Sequence, residues 1–412
     1  MAVLRPFRAW RPRPDLAARV AAPPYDVLNS AEARAMAEGN RFSFLHVSKP
    51  EIDLPPQIAP DDPRVYAGGR TSLERLISEG ALVRESTAAF YAYRQQMGDH
   101  VQTGIVAGAS VDEYEDGRIK KHEHTRPDKE DDRTRHTLAL DANAGPVFLT
   151  YKAQPAIDAL VADICSAAPL YDFTSDDGIR HTVWAASEPP QIARIRDAFA
   201  DVPYLYVADG HHRSAAASRV RADRRAANPA HRGDEAYNYF LAVIFPDNQM
   251  KIMAYNRVVQ DLRGMAPEAF LARVAERFTV TRAPQAEPDR PRTFGMFLNG
   301  RWERLEARPG SFPSEDPVAS LDCAILQHNL LEPVLGIQDP RTDKRIDFVG
   351  GIRGTRELER RCREGWALAF ALHPTSIDQL MAVADAGKVM PPKSTWFEPK
   401  LRSGLIIRPL HE

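Results

Sequence analysis

A run of polar residues at the end of an apolar segment is the strongest candidate for chemistry in this sequence. Residues 207–217 read VADGHHRSAAA, so an apolar run ends at Asp209 and a helix-forming run follows at once. Free N–H groups in the first helical turn, the helix dipole and a guanidinium all favour an anion at such a corner. The segment therefore predicts a phosphate-binding corner, with Asp209 as a metal ligand or a helix cap. Its anion-binding residues are Gly210, His211, His212, Arg213 and Ser214.

The same segment has a purely structural interpretation. In that interpretation Asp209 only caps the helix, the two histidines are half-exposed, and Arg213 pairs with a neighbouring carboxylate. Residue types alone favour neither interpretation over the other.

A second concentration of titratable groups lies upstream, where residues 120–133 read KKHEHTRPDKEDDR. A glutamate beside a histidine can act as a general base toward a hydroxyl group, which makes Glu123 and His122 catalytic candidates. The candidates for neutralising phosphate charge are Lys121, Lys129 and Arg133. The zinc-protease pattern H-E-x-x-H is absent, because the second histidine follows the first by only two residues. The alternative is a solvated charged helix or loop.

These segments are positioned by a mixed α/β pattern. Apolar runs of strand length near Phe90, from Thr103 and from Pro146 alternate with helical periodicity, as in residues 190–200. Two further strand-then-helix sequences follow in residues 344–361 and 366–387. The fold class expected from this alternation is α/β, of the mixed α+β kind.

The N-terminal region offers two weaker candidates. Residues 21–27, AAPPYDV, form a proline-stiffened turn that can present Tyr25 and Asp26. Residues 44–47 are expected to form a short strand in which His46 points inward.

Length and composition exclude several classes of protein. The 412 residues are 43% hydrophobic and 27% charged, with a formal net charge of -2, which excludes a disordered chain and gives no reason to expect nucleic acid or an anionic membrane as partner. Three separated cysteines suggest neither a disulfide framework nor a thiolate zinc site. The start lacks a signal-peptide core and no apolar run is long enough to span a bilayer, so a cytoplasmic location is expected.

Several longer motifs are similar to those of a known family. The sequence resembles the bacterial domain-of-unknown-function family 1015 over nearly its whole length. The motifs that carry the resemblance are AAPPYDV, SFLHVSKPEIDL, KHEHTRPDKEDDR, VADGHHRSAAA, FVGGIRGT and HPTSIDQLMAVADAGKVMPPKSTWFEPKLRSGL.

That family has been linked to the ParB/sulfiredoxin-like superfamily through the motif D-G-H-H-R, which looks like the phosphate-binding corner of ParB proteins, sulfiredoxin and free-serine kinases. The kinases also carry an H-E motif upstream. The resemblance implies that residues 209–213 hold nucleotide phosphates and that His122 and Glu123 match the H-E pair. It further implies a ParB/sulfiredoxin-like core in residues 1–255 and an α/β region in residues 256–412, unless the two form one integrated domain.

The function expected from these observations is phosphoryl transfer from ATP or another donor to a hydroxyl of a small, serine-like metabolite, with Mg²⁺ at Asp209. Two alternatives remain. One is a nucleotide-binding switch akin to ParB clamps, for which the basic residues 219–232 are the only candidate nucleic-acid contact. The other is a catalytically inert scaffold. Sequence alone specifies neither the acceptor nor the oligomeric state.

Overall fold

The computed structural model of the chain describes residues 2–283 and 285–411. The chain divides into two compact units. The first unit contains Met1–Met250 together with Pro399–Glu412, and the second contains Lys251–Glu398. The expected division at residue 255 differs from this one chiefly at the C-terminus, because residues 399–411 lie in the first unit.

Twenty-one strands and thirteen α-helices are formed by the described residues. The strands are β1 (Leu4–Arg5), β2 (Trp10–Pro12), β3 (Leu82–Arg84), β4 (Phe90–Met97), β5 (His100–Ser110), β6 (Ile119–Lys120), β7 (Ala142–Asn143), β8 (Val147–Tyr151), β9 (Tyr171–Thr174), β10 (Arg180–Ala186), β11 (Leu205–Asp209), β12 (Tyr239–Pro246), β13 (Lys251–Met253), β14 (Tyr255–Val259), β15 (Phe278–Arg282), β16 (Thr293–Leu298), β17 (Arg301–Ala307), β18 (Ile346–Gly350), β19 (Leu368–Leu372), β20 (Trp396–Glu398) and β21 (Arg408–Pro409).

The helices confirm the mixed α/β class. They are α1 (Ala17–Val20), α2 (Ser30–Ala37), α3 (Leu45–Ser48), α4 (Pro63–Ser78), α5 (Val111–Glu115), α6 (Pro127–Leu140), α7 (Pro155–Ile164), α8 (Pro189–Ala200), α9 (His211–Ala226), α10 (Pro267–Ala275), α11 (Asp322–Leu326), α12 (Gly354–Arg363) and α13 (Ile377–Asp385). None of the helices among these described residues combines the length and the apolar composition that a membrane span requires.

The first unit is built on a nine-stranded mixed sheet. Its order is β6-β11-β8-β12-β5-β4-β10-β9, with β1 also paired to β5. Most neighbours are antiparallel, but β6 runs parallel to β11 and β8 runs parallel to β12. Parallel neighbours bring their carboxyl ends to the same edge of a sheet, and ligands commonly bind at such an edge.

Helical periodicity correctly predicted how α8 packs. Ile195 and Phe199 are fully buried in the core of the first unit, and Ile192 packs against them half-buried. In contrast, the strand expected at residues 44–47 is wrong, because Leu45–Ser48 form a short helix. There the imidazole of His46 bonds the carboxylate of Asp53, which satisfies its polar nitrogen within a local turn.

The C-terminal tail of the first unit consists of residues 399–411, and its residues 401–410 are buried. It is held by backbone pairs to the N-terminal region, with Ser403 bonded to Ala22 and Ile407 bonded to Trp10. The side chain of Arg402 pairs with the carboxylate of Asp177. The tail is therefore an integral part of the first unit.

The second unit has a six-stranded antiparallel sheet in the order β15-β17-β16-β19-β14-β18, and a separate pair β13-β20. Both strand-then-helix predictions in this region are confirmed, by β18 with α12 and by β19 with α13. Ser376 caps α13 by accepting a hydrogen bond from the N–H of Gln379, as its hydroxyl predicts.

Candidate active site

The turn from β11 into α9 forms an uncapped helix N-terminus. Gly210 occupies the cap position at φ 97°, in the left-handed region that a side chain disfavours, and the helix begins at His211 without a side-chain cap. The first intrahelical bonds run from the N–H groups of Arg213 and Ser214 to the carbonyl of Gly210. The preceding N–H groups have no intrahelical acceptor, so this end of α9 is suited to an anion.

The side chain of Asp209 does not cap the helix. The β11–β8 register shifts between Val207 and Asp209, and such an irregularity redirects the side chains that follow it. Lys400 from the C-terminal tail donates a hydrogen bond to the Asp209 carboxylate at 2.9 Å. Burial alone would raise the pKa of Asp209, but the charges of Lys400 and Arg213 outweigh it and hold that pKa well below its usual range.

The predicted H-E segment lies directly beside this corner. Because β6 pairs in parallel with β11, the loop that follows Lys120 leaves the sheet at the same edge as Gly210. The N–H of His122 lies 3.5 Å from Nε2 of His211. Glu123 Oε2 lies 3.7 Å from Nδ1 of the same imidazole. The two segments, separated by almost ninety residues, therefore form one site.

The imidazoles in this site are neutral at physiological pH. His122 and His211 meet edge to face, with ring centroids 4.4 Å apart, and both are buried. Burial lowers the pKa of His122 to about 4. Burial and the neighbouring His122 lower the pKa of His211 well below its ordinary value. Neither ring therefore brings a positive charge to a bound phosphate.

The contacts of the two motif histidines assign their protons. Nε2 of His211 accepts from the N–H of His122, so its proton lies on Nδ1, which faces the carboxylate of Glu123. Nε2 of His212 accepts from the N–H of Arg126 at 3.1 Å, so its proton also lies on Nδ1. Glu123 remains 48% exposed. Its carboxylate thus lies beside an imidazole and is accessible to a small molecule.

One group of side chains in the described residues has the geometry of a metal site. His122, Glu123 and His211 each offer a ligand atom, and these atoms lie within 4.8 Å of one another. Two imidazole nitrogens with one carboxylate suit a transition metal better than Mg²⁺, which prefers oxygen ligands. The predicted Mg²⁺ ligand, Asp209, is instead paired with Lys400.

Three other predicted residues differ in their surroundings. Ser214 is fully buried, and its hydroxyl donates to the carbonyl of His211 rather than facing outward. The ammonium of Lys121 lies 4.2 Å from the ring centre of Tyr114. Lys129 is exposed on α6. The Ser214 hydroxyl is therefore already engaged, whereas the phosphate contacts of Lys121 and Lys129 stay predictions.

The two predicted arginines line one cavity, and one of them packs against Gly210. The guanidinium of Arg213 packs over this glycine, whose added Cβ would lie 3.1 Å from Nε. Nη1 of Arg213 donates to the carbonyl of Pro146 rather than to a carboxylate. The guanidinium of Arg133 lies 4.0 Å from the ring centre of Tyr25. The cavity that both arginines line has a volume of about 40 Å³.

Sequence reasoning missed Lys400, which holds Asp209 in its charged form. The only available signal was a lysine in the C-terminal segment PPKSTWFEPKLRSGL, where Lys393, Glu398 and Arg402 are charged as well. The basic residues 219–232 are the candidate nucleic-acid contact, and three of their arginines form ion pairs within the protein. Arg219 pairs with Asp131, Arg221 with Asp112 and Glu115, and Arg224 with Asp141. Its charges therefore hold α9 against neighbouring elements.

The family comparison confirms the resemblance for the four motifs that lie within the matched residues. The family model described as a protein of unknown function (DUF1015) matches residues 4–324. No curated protein matches the chain.

Several solved structures are remotely similar. A free serine kinase variant in complex with ADP is 13% identical over 72% of this chain and 90% of its own, with a TM-score of 0.34. C-terminally truncated SbnI from Staphylococcus aureus is 15% identical over 74% of this chain and 87% of its own, with a TM-score of 0.38. A conserved hypothetical protein from Pyrococcus furiosus is 12% identical over 73% and 93%, with a TM-score of 0.34.

Proposed function

The chain belongs to the DUF1015 family, whose function is unknown. From the site itself, we propose that the protein transfers a phosphoryl group from a nucleotide to a hydroxyl of a small metabolite. One observation carries the proposal: an exposed carboxylate, Glu123, lies 3.7 Å from an imidazole at the uncapped N-terminus of α9. This geometry supports the proposal, because a candidate anion receptor then lies beside a candidate base.

The N-terminus of α9 would hold the phosphates. The main-chain N–H groups of residues 210–212 and the helix dipole attract phosphate oxygens without a charged side chain. Gly210 allows close approach, because it presents no Cβ at this turn. The hydrogen bond from Lys400 fixes the carboxylate of Asp209 at the end of β11. It also holds the ammonium of Lys400 beside the same turn.

Glu123 would act at the acceptor hydroxyl. The bond between the terminal phosphorus and the oxygen of the leaving nucleotide breaks, a new bond forms from phosphorus to the acceptor oxygen, and the hydroxyl proton passes to Glu123. Nδ1 of His211 faces this carboxylate at 3.7 Å, beyond hydrogen-bond distance. Little covalent chemistry is required of the protein, since positioning supplies much of the rate.

The predicted role of Asp209 in holding Mg²⁺ does not fit this donor set. Its carboxylate is engaged by Lys400, and the nearby group of possible ligands is rich in nitrogen.

The test is a donor panel of ATP, ADP, CTP and GTP with a metabolite extract, read by mass spectrometry. The wild-type protein is compared with Glu123→Gln and with Glu38→Gln, an exposed glutamate outside the site. We expect Glu123→Gln to slow donor consumption by about 10²- to 10⁴-fold and Glu38→Gln to leave it unchanged.

Equal donor consumption by wild type and Glu123→Gln would overturn the catalytic proposal. Nucleotide protection in a thermal melt without any consumption would instead support the nucleotide-binding switch. If the nucleotide neither protects the protein in a thermal melt nor is consumed, the result would support the inert scaffold.

A further inference from the structure

Two imidazole nitrogens and a carboxylate converge beside the start of α9. The possible ligand atoms of His122, Glu123 and His211 lie within 4.8 Å of one another. Both imidazoles are buried, whereas the side chain of Glu123 is 48% exposed. The group therefore has two ligands held by packing and one that can adjust its position as an ion enters from solvent.

The imidazole of His122 has a lone pair that nothing in the protein uses. Its Nδ1 is buried without a hydrogen-bond partner among the described residues, and the residue is only 2% exposed. The carbonyl of Val207 accepts a hydrogen bond from the same ring. A carbonyl has no proton to give, so the ring proton lies on Nε2 and Nδ1 carries the lone pair. Buried polar groups are almost always paired, so this nitrogen calls for a partner from outside the chain.

The hydrogen bonds around both rings are compatible with a metal ion as that partner. A metal-binding histidine typically donates its other ring proton to a carbonyl or carboxylate, and Val207 supplies this acceptor for His122. At His211 the ion replaces the proton on Nδ1, and that proton moves to Nε2. The contact that is then lost, from the N–H of His122 to Nε2, is 3.5 Å long and therefore weak.

The donor set selects the class of ion. Imidazole nitrogens suit Zn²⁺ and the neighbouring transition metals, whereas Mg²⁺ and Ca²⁺ take oxygen ligands. Two histidines with one glutamate also form zinc sites in which water occupies a further position. We propose that His122, Glu123 and His211 bind one divalent transition-metal ion, with Zn²⁺ as the best match, and that water completes its coordination.

The bound ion regulates the site. Resting on the proposed function, Glu123 is the group that accepts the hydroxyl proton of the acceptor. A carboxylate whose lone pair and charge are held by a cation is a much weaker base. The metal-bound protein is therefore inactive in phosphoryl transfer, and Zn²⁺ is an inhibitor that competes for the catalytic carboxylate.

The primary test measures metal binding without nucleotide. Co²⁺ is titrated into the full chain, and its visible absorption reports the ligands that surround the ion. Zn²⁺ and Mg²⁺ are then added as competitors in separate titrations. We expect saturable binding of one Co²⁺ per chain, displacement by Zn²⁺, and no displacement by a large excess of Mg²⁺.

Variants at the ligands make the test specific. Glu123→Gln removes a ligand at an exposed position, and Co²⁺ affinity should fall at least about ten-fold, since losing a group that merely orients a ligand already costs that much. His122→Asn should weaken binding further. His124→Asn is the matched control, because His124 is an exposed neighbour outside the group, and its affinity should equal that of the wild type. Thermal melts without metal verify that each variant is folded.

Binding that Glu123→Gln and His122→Asn leave intact would overturn the assignment of the ligands, and the absence of saturable Co²⁺ binding would overturn the site itself. Displacement by Mg²⁺ would overturn the class of ion. In the donor assay at buffered free Zn²⁺, consumption should fall with the midpoint measured for Zn²⁺ binding. Full activity of the Zn²⁺-loaded protein would overturn the inhibition. A protein that binds Zn²⁺ but consumes no donor even without it would contradict the proposed function and support the metal site.

Discussion

The ammonium of Lys400 donates to the carboxylate of Asp209 at 2.9 Å, across a sequence separation of 191 residues. Both side chains are largely buried, with exposed fractions of 15% for Lys400 and 28% for Asp209. The pair attaches the C-terminal tail to the end of β11, one residue before the turn that forms the candidate phosphate site. Site geometry and tail docking are therefore physically coupled.

Replacing Lys400 by Met should destabilise the protein by about 2 kcal/mol, because Asp209 would lose its charged hydrogen-bond partner while half-buried. The double variant with Asp209→Asn should recover part of this loss. Chemical denaturation of the wild type, Lys400→Met, Asp209→Asn and the double variant gives the coupling energy between the two side chains directly. The folded-state pKa of Asp209 is depressed, so its stabilising contribution is fully present above the unfolded pKa and is lost only as pH falls toward the folded pKa.

The exposed helical pair Arg70–Glu74 is the matched control for this cycle. Its coupling should be much smaller, because solvent screens it. Equal coupling in the two cycles would contradict a special role for Lys400.

Gly210→Ala should cost about 1–3 kcal/mol, since alanine is strained at φ 97° and its Cβ would press on the Arg213 guanidinium. Gly178→Ala isolates the backbone strain from the contact, because Gly178 has φ 77° and no atom lies within 4 Å of its added Cβ. Thermal melts of both variants separate strain from contact. If the two variants lose the same stability, Arg213 does not require the glycine.

The protein should lose stability as pH falls from about 6.5 to 4. His122 has a folded-state pKa of about 4, whereas an unfolded histidine titrates near 6.5, so the unfolded chain binds more protons within this window. Above the window this contribution is fully present. The free energy of unfolding, measured with denaturant at several pH values, should fall less steeply for His122→Asn than for wild type. His124→Asn, at an exposed position, should keep the wild-type slope; equal slopes for all three proteins would contradict this account.

Ile407→Ala should cost about 2–5 kcal/mol, because Ile407 is fully buried in the cluster formed by the tail and the N-terminal helices. Val101→Ala is the control, since Val101 is 42% exposed. Denaturant titration compares the two variants. A loss for Ile407→Ala no larger than that of the control would show that the tail contributes little to the first unit.

The turn from β11 into α9 was predictable because its determinants are consecutive residues. An apolar run of strand length, a glycine free to adopt positive φ and a helix-forming run act within about ten residues. The capped helix α13 was predictable for the same reason. The expected strand at residues 44–47 was wrong because a four-residue apolar run has no period, and contacts such as His46 with Asp53 decide its conformation.

The sequence by itself determined a mixed α/β fold, a strand-to-helix turn at residues 209–214 that is predicted to bind an anion, and a charged segment containing Glu123. Only the tertiary structure decided that these two segments meet, since that depends on the two-residue strand β6 pairing in parallel with β11. It also decided that Lys400 faces Asp209 and that Arg213 turns toward a cavity. The physical reason is range: local sterics and periodicity act over a few residues, whereas partners separated by 86 or 191 positions are chosen by sheet topology and core packing.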